Sequence, residues 1–310
     1  MIILIIFSIK IKYINENKNN YINVAYSFDN IYYYITHVSM KSLMLNQNNN
    51  TFIIFHILLS KEIYNEQKPI IDKICIEHNN CKINYYQMSD QFKKFSTKGI
   101  GISRTSAIFY RLILQNLHLN ETKALYFDCD TIIYKDLTEM YNFELYNKYY
   151  VGELENQPYQ KYGSNLNNFI NTGVMLINLE NLRKDKIYDK MLKFLTKYNN
   201  SLLLLDQDAI NVVCNNKNDY FPSNYISSGY CDIDSFKINQ NLTNNGKKSE
   251  LEPIVFHLKG YRDKPWNGIV FNSINNITCF DQIHRFYEYA RKSSYYYEIL
   301  EKFQIKNKNL

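Results

Sequence analysis

Two aspartates, Asp128 and Asp130, lie in the middle of an otherwise apolar segment, residues 125–133. The Tyr, Phe, Ile and Thr residues of this segment favour a β-strand, and a short apolar run indicates a buried one. Because side chains alternate along a strand, we expect the two carboxylates on one side and Cys129 on the other. Charged side chains are rarely buried without a partner, so the pair is expected at the strand's carboxyl end. There it offers oxygen ligands to Mg²⁺ or Mn²⁺, which can carry a diphosphate.

The same dipeptide pattern has a simpler interpretation. A polar strand end often carries aspartates that cap the backbone or form salt bridges, and short motifs recur by chance. An acidic pair at 206 and 208 has a similar alternative, because acidic residues at a helix start complement the helix dipole. Motifs elsewhere in the chain are needed to distinguish a metal site from a polar strand end.

Length and composition restrict the class of protein. A chain of 310 residues can bury a full core as one large α/β domain or two small ones. With 15% aromatic residues, 9 Gly and 5 Pro, it is neither disordered nor a low-complexity repeat. The net charge of +6 suits an anionic substrate or an anionic membrane surface, but no cluster of basic and aromatic residues indicates nucleic-acid binding.

The six cysteines include no CxxC pair, which argues against a structural zinc site. Cys75 and Cys81 are candidates for a disulfide in an oxidising compartment. Residues 1–9 are apolar but too short to span a bilayer. They fit either the hydrophobic region of a signal peptide or a stray leader or extra strand. We therefore predict an apolar leader and polar linker at residues 1–20, and a location either in the secretory lumen or in the cytoplasm at a membrane surface.

Strands and helices alternate along the body of the chain. Apolar runs predict strands, and helical spacing of apolar residues predicts the segments between them. This alternation is typical of a largely parallel sheet with helices on both faces, and hence of an α/β fold. The predicted strands are residues 21–26, 51–59, 82–86, 124–133, 149–152, 174–178 and 254–257, and the predicted helices are 32–45, 63–78, 103–117, 181–198, 209–214 and the basic, Tyr-rich segment 284–310.

Six short motifs follow one another in an order that one family shares. They are residues 27–32 (SFDNIY), 110–112 (YRL), 125–130 (LYFDCD), 171–178 (NTGVMLIN), 206–208 (DQD) and 257–266, which holds HLKG and KPW. With these motifs the chain resembles the retaining glycosyltransferases of family 8, which include glycogenin and the bacterial lipopolysaccharide galactosyl- and glucosyltransferases. The resemblance covers residues 21–266.

The resemblance implies a GT-A fold, which is Rossmann-like, with a central, mostly parallel mixed sheet flanked by helices. The catalytic domain would comprise residues 21–283. It implies an enzyme, a retaining hexosyltransferase that moves glucose or galactose from a UDP-sugar to the hydroxyl of a glycan, glycolipid or glycoprotein. Mn²⁺ would be the cofactor, with Mg²⁺ as the second candidate. The tail at 284–310 would be a solvated terminal helix or a peripheral contact with an anionic membrane.

The matching positions also imply roles for single residues. The metal ligands would be Asp128, Asp130 and His257, a mixed oxygen and nitrogen set that suits Mn²⁺. Gln207 and Asp206 would lie at the reacting carbon as candidate catalytic residues. The residues implied to bind the donor are Asp29, Arg111, Asp128, Asn171, Thr172, Asp206, Gln207, Gly260 and Lys264.

The chain departs from the family pattern in three places. Ile31 stands where a polar residue is common. Glu153, Glu155 and Asn156 are alternatives for one acidic position after the strand at 149–152. The segment from His257 to Lys264 is one residue longer than usual.

Three other functions fit part of the pattern. A glycogenin-like, self-glucosylating protein would carry the same motifs. A metal-dependent phosphatase also uses an aspartate pair, although Thr131 comes one place too early for that motif. A non-catalytic module that binds sugar nucleotides would keep the fold without turnover.

Overall fold

The computed structural model of the chain describes most of the predicted domain. Predicted features at residues 1–20, at Ile31, Asn156 and Gly260, and at residues 305–310 lie outside the described residues. These described residues are 21–29, 32–99, 102–103, 105–117, 120–155, 160–164, 166, 168–228, 252–259, 264–267 and 277–304.

The strands fall into one large sheet, one small sheet and a short two-stranded ribbon. The strands are β1 Tyr21–Ser27, β2 Phe52–Ser60, β3 Cys81–Met88, β4 Lys98–Gly99, β5 Ile102–Ser103, β6 Lys123–Phe127, β7 Thr131–Ile133, β8 Tyr150–Glu155, β9 Phe169–Asn178, β10 Asn218–Tyr220, β11 Ile226–Ser228 and β12 Val255–His257. The helices are α1 Tyr33–Asn46, α2 Tyr64–Glu77, α3 Leu114–Leu117, α4 Thr138–Tyr141, α5 Leu179–Lys184, α6 Ile187–Tyr198, α7 Asp206–Val213, α8 Ile277–Ala290 and α9 Tyr296–Gln304, with 3₁₀ turns at Lys61–Ile63, Asp90–Phe92, Ser106–Ile113 and Pro265–Asn267.

The large sheet has seven strands in the order β10-β8-β9-β6-β1-β2-β3. Among the described strands of this sheet, only β9 runs antiparallel to its neighbours β6 and β8, and the other pairs are parallel. Strands β1 and β2 are buried on both faces, as their continuous apolar runs predict. The prediction of an α/β fold with a mostly parallel mixed sheet is thereby confirmed.

A second, three-stranded sheet has the order β11-β12-β7. Strand β12 lies parallel to β11 and antiparallel to β7, with His257 opposite Thr131. Strand β7 begins directly after Asp130, so this sheet brings a late segment of the chain to the aspartate pair. The position of His257 in the fold follows from this pairing.

The predicted strand 124–133 is wrong as a continuous element. Residues 128–130 form a turn that separates β6 from β7. The turn is fixed by hydrogen bonds, since the Asp128 amide donates to the Gly173 carbonyl (2.6 Å) and the Thr131 hydroxyl donates to the Asp128 carbonyl (2.8 Å). The alternation argument therefore does not apply to Asp128 and Asp130, although both lie at the end of a buried strand as expected.

Two predicted helices also differ from the structure. The segment 103–117 is largely 3₁₀, over Ser106–Ile113, and only its last turn is α-helical. The segment 181–198 is two helices, because Lys186 adopts a left-handed conformation (φ 52°) between α5 and α6. The Asn178 side chain caps the first of them by accepting a hydrogen bond from the Asn181 amide.

The C-terminal helices pack on the body of the protein. Helix α8 begins at Ile277, so the predicted tail from residue 284 starts inside it. Its apolar residues Phe286 and Tyr289 are buried, and the Asn46 amide donates to the Tyr289 hydroxyl (2.7 Å). Within the described residues, no helix is both long and apolar enough to cross a membrane.

A disulfide and a buried hydrogen bond connect elements that are neighbours in the fold. Cys75 near the end of α2 and Cys81 at the start of β3, which the sequence left as candidates, form a disulfide. His37 on α1 is fully buried, and its Nδ1 lies 3.0 Å from the Ser293 hydroxyl just after α8. Burial lowers the pKa of His37 from its ordinary value of 6.5 to about 3.

His37 should make the protein sensitive to acid. Between pH 6.5 and about 3 the unfolded chain binds a proton at His37 that the folded protein does not, so stability falls as the pH falls through this range. We expect the wild type to lose about 3 kcal/mol more than His37→Gln between pH 7 and pH 4, at 1.36 kcal/mol per pH unit. Urea unfolding of both proteins at the two pH values measures this difference. Equal losses would show that the buried imidazole does not titrate as described.

Candidate active site

The turn between β6 and β7 faces His257 at the end of β12. Asp128, Asp130 and His257 each offer one ligand atom, and these atoms all lie within 4.8 Å of one another. The His257 Nε2 atom is 3.3 Å from an Asp130 oxygen and 3.9 Å from an Asp128 oxygen. Two carboxylate oxygens and an imidazole nitrogen at these distances form a donor set that suits a divalent cation such as Mn²⁺. The three residues predicted as metal ligands are thus brought together.

The backbone of Gly173 forms one wall of this site. A Cβ atom at position 173 would lie 2.2 Å from Cε1 of His257 and 2.8 Å from an Asp128 oxygen. Real Cβ contacts are never that short, so the imidazole and the carboxylate take their places only because residue 173 has no side chain. The fit of a cation among the three ligands depends on this close approach.

Lys264 enters the site from the segment after β12. Its ammonium group contacts the Asp130 carboxylate and the Leu258 carbonyl, and its side chain is buried. Burial alone would raise the pKa of Asp130, but Lys264 and His257 outweigh burial and hold that pKa well below its usual range. Asp130 is therefore ionised over the whole physiological pH range, which a metal ligand requires.

Arg111 connects the candidate metal ligand Asp128 to Asp206 at the start of α7. Its guanidinium lies 2.8 Å from Asp128 and 3.2 Å from Asp206, and it donates to the Thr172 carbonyl (2.6 Å). It also stacks on the ring of Tyr126 at 4.5 Å from the centroid. Burial would lower the pKa of Arg111, but the two carboxylates raise it above its ordinary value. The guanidinium therefore stays charged and fixes both carboxylates.

Asp206 and Gln207 begin α7 and contact Thr172 on β9. The Thr172 hydroxyl donates to Asp206 (3.0 Å), and the Thr172 amide donates to the Gln207 side-chain oxygen (3.2 Å). Burial raises the pKa of Asp206 to about 6, and Arg111 partly opposes the shift. Leu205, just before this helix, has φ 59° and ψ −111°, and strained conformations of this kind are concentrated at functional sites.

The helix start separates the two interpretations of its acidic residues. Asp208 accepts hydrogen bonds from the amides of Leu203 and Leu204, so it holds the turn that precedes the helix. Asp206 instead pairs with Arg111 and belongs to the site.

The other predicted donor residues lie around this centre. Asn171 hydrogen bonds through its amide to Glu155, and Asp29 at the end of β1 accepts from the Thr105 hydroxyl (2.9 Å). The roles of both residues in donor binding stay predictions. The sequence motifs did not identify Tyr126 as a site residue, although it lies near the end of β6, two residues before Asp128. Its hydroxyl lies 2.8 Å from the Ser27 hydroxyl and 3.2 Å from an Asp128 oxygen.

Comparisons with known proteins agree with this architecture. A family model for Glycosyl transferase family 8 matches residues 23–270 of the chain. A putative glycosyltransferase of Haemophilus influenzae is 30% identical over 203 residues, which are 63% of this chain and 60% of that protein. The lipopolysaccharide 1,2-glucosyltransferase of Escherichia coli K12 is 25% identical over 264 residues, 82% of this chain and 75% of that protein. The chain thus spans less than two thirds of the length of the Haemophilus relative.

Solved structures give the same fold. The galactosyltransferase LgtC, in complex with donor and acceptor sugar analogues, superposes with a TM-score of 0.70 at 19% identity. The alignment covers 88% of this chain and 96% of LgtC. At this identity the likeness shows the fold alone, and it confirms the GT-A architecture predicted from the sequence.

Proposed function

This chain belongs to glycosyltransferase family 8, and we propose that it is a retaining hexosyltransferase. In this proposal it moves glucose or galactose from a UDP-sugar to an acceptor hydroxyl and depends on Mn²⁺. The observation that supports it most is the convergence of Asp128, Asp130 and His257 beside Lys264 and Arg111. Two carboxylates with an imidazole suit a divalent cation, and the adjacent lysine suits a diphosphate.

The donor would be held at two points. A divalent cation on Asp128, Asp130 and His257 would supply Lewis-acid stabilisation of the diphosphate leaving group. Lys264 is buried beside Asp130 and would hold the same phosphates as a point charge. The sugar would then lie toward Asn171 and Gln207, where β9 meets α7.

Asp206 is better suited to positioning than to nucleophilic attack. One of its oxygens is 3.2 Å from the Arg111 Nε atom and accepts from the Thr172 hydroxyl. These two contacts hold the carboxylate beside Arg111, which suits a positioning role. Gln207 is held by the Thr172 amide in a similar way. We therefore infer front-face displacement, in which the leaving phosphate takes the proton of the acceptor hydroxyl. Trapping of a sugar covalently bound to Gln207 or Asp206 would exclude this route.

The choice of glucose or galactose as the transferred sugar rests on proteins that are similar to this chain. One similar protein is a lipopolysaccharide 1,2-glucosyltransferase and another, by fold, is a galactosyltransferase. The acceptor proposed is a glycan, glycolipid or glycoprotein. Of the two predicted locations, the disulfide between Cys75 and Cys81 favours the secretory lumen, because disulfides persist in oxidising compartments.

A screen of UDP-sugars tests the proposal directly. The purified chain is incubated with UDP-glucose, UDP-galactose and other UDP-sugars, with Mn²⁺, Mg²⁺ or a chelator, and UDP release is followed without acceptor. We expect release from a UDP-hexose with Mn²⁺, weaker release with Mg²⁺, and none with the chelator. Phosphate release from a simple phosphomonoester in place of UDP release would support a phosphatase. Hexoses on a tyrosine of the purified protein would support the self-glucosylating alternative.

A further inference from the structure

A buried lysine and two half-buried glutamates form a cluster beside the candidate metal site. Lys259 Nζ lies 2.8 Å from Glu153 and 2.7 Å from Glu155. We call these three residues the lysine clamp. The side chains of Lys259, Glu153 and Glu155 are only 7%, 20% and 18% exposed, so screening by water is weak. The clamp joins the segment after β12 to β8, and therefore the small sheet to the large one.

The lysine clamp contacts Asn171, which is predicted to bind the donor sugar, through one oxygen atom of Glu155. The Asn171 side-chain amide donates to Glu155 Oε1 (3.0 Å), the same oxygen that contacts Lys259. The Asn171 side-chain oxygen accepts from the Gly173 amide (2.9 Å). Both ends of the amide are thus engaged, and its orientation is fixed.

The backbone around Asn171 makes this orientation important. Gly152 pairs with Met175, but the next residue, Glu153, pairs with Asn171, so three residues of β9 bulge out of the ladder. The bulge carries Thr172 and Gly173, which contact Asp206 and Asp128. Regular pairing between β8 and β9 therefore resumes at Asn171. This residue lies directly beside Thr172 and Gly173, which line the site.

Electrostatics explains why Lys259 is needed at this point. Glu153 and Glu155 both approach the same ammonium group, and without it two half-buried carboxylates would repel each other. Glu153 keeps a further hydrogen bond, from the Ser228 hydroxyl (2.7 Å). Without Lys259, Glu155 would turn toward water and release the Asn171 amide.

We propose that Lys259 is a positioning residue for the donor sugar, which acts through Glu155 on the side-chain amide of Asn171. This inference rests on the proposed function, because it takes Asn171 to contact the sugar. It adds Lys259 to the site and gives a role to Glu153 and Glu155, which the sequence had named only as alternatives for an acidic position. The lysine clamp thereby has a task separate from metal and phosphate binding.

The test separates the sugar from the nucleotide. We compare Lys259→Met, Lys259→Arg and the surface control Lys292→Met, whose side chain is 48% exposed and pairs with Glu288. Calorimetry with Mn²⁺ gives the Kd of UDP, and UDP release from the active UDP-sugar gives kcat and KM. In Lys259→Met we expect kcat/KM to fall by about 30- to 100-fold, as misplacement of a reacting group does. The Kd of UDP should change by less than about 2-fold.

The conservative variant and a double mutant complete the test. Lys259→Arg should recover most of the activity, because a guanidinium can bind both carboxylates. Once Asn171→Ala has been made, adding Lys259→Met should cost less than about 2-fold, because both changes remove the same interaction. Lys292→Met should match the wild type.

Several outcomes would overturn the inference. UDP affinity that falls in parallel with kcat/KM would make Lys259 a general structural residue. Losses that multiply in the double mutant would show that Lys259 does not act through Asn171. An active wild type matched by Lys259→Met refutes this inference alone, whereas a wild type that cleaves no UDP-sugar refutes the proposed function and this inference with it.

Discussion

Gly173→Ala is expected to abolish UDP release and to weaken Mn²⁺ binding by at least about 100-fold. The added Cβ would lie 2.2 Å from Cε1 and 2.8 Å from Nε2 of His257. The backbone has little room to move away, because the Gly173 amide donates to Asn171 and its carbonyl accepts from the Asp128 amide. The imidazole must therefore leave the carboxylates, and a three-ligand site loses one ligand.

Titration of Mn²⁺, followed by the electron paramagnetic resonance of the free ion, measures this effect independently of turnover. Gly163→Ala is the matched control, since Gly163 has φ 77° and nothing within 4 Å of an added Cβ. That change costs about 1 kcal/mol of stability through backbone strain and should leave Mn²⁺ binding intact. Normal Mn²⁺ affinity in Gly173→Ala would mean that His257 is not a ligand.

Asp130→Ala is expected to reduce UDP release by at least about 1000-fold, whereas Cys129→Ala should keep most of it. Asp130 is a candidate ligand and also the carboxylate partner of Lys264, so its loss removes a metal contact and leaves a buried ammonium without its carboxylate. The neighbouring Cys129 side chain points away from the site. Its thiol lies 3.4 Å from the Ser27 carbonyl and belongs to the hydrophobic core.

Side-by-side assays of UDP release and Mn²⁺ affinity compare the two variants. Because Cys129 is only 8% exposed, thermal unfolding of Cys129→Ala must accompany the assay to separate lost packing from lost chemistry. A comparable loss of Mn²⁺ binding in two folded variants would show that the turn does not direct its side chains as described.

The parts of the site that the sequence could predict are those with local signals. The apolar runs of β1 and β2 are long enough to identify buried strands, and the motif residues Asp128, Asp130 and His257 meet as the family resemblance implied. The sequence predicts a strand through the turn at 128–130 because the flanking residues are strong strand formers. Its actual shape is set by a hydrogen bond to Gly173, which no local pattern contains.

Contacts between residues that lie far apart in the chain could not be predicted from the sequence. Lys259 and Glu155 are 104 residues apart, and either side chain alone is typical of a solvated surface. The β9 bulge likewise depends on how β8 pairs with it. The split between α5 and α6 at Lys186 had no Gly or Pro to announce it.

The pairing of β7 with β12 has a consequence for the order in which this protein can form. Lys264 and Asp130 are 134 residues apart, and β7 has no described partner in its sheet other than β12. While the chain leaves the ribosome, the pairing of β7 and the contact between Asp130 and Lys264 must therefore wait until the segment from β12 to Lys264 has been made. Contacts at such separation are slow to close. We expect the central sheet to assemble first and the candidate metal site last. A nascent or truncated chain that ends before β12 would lack His257 and Lys264, and so could not complete the candidate metal site.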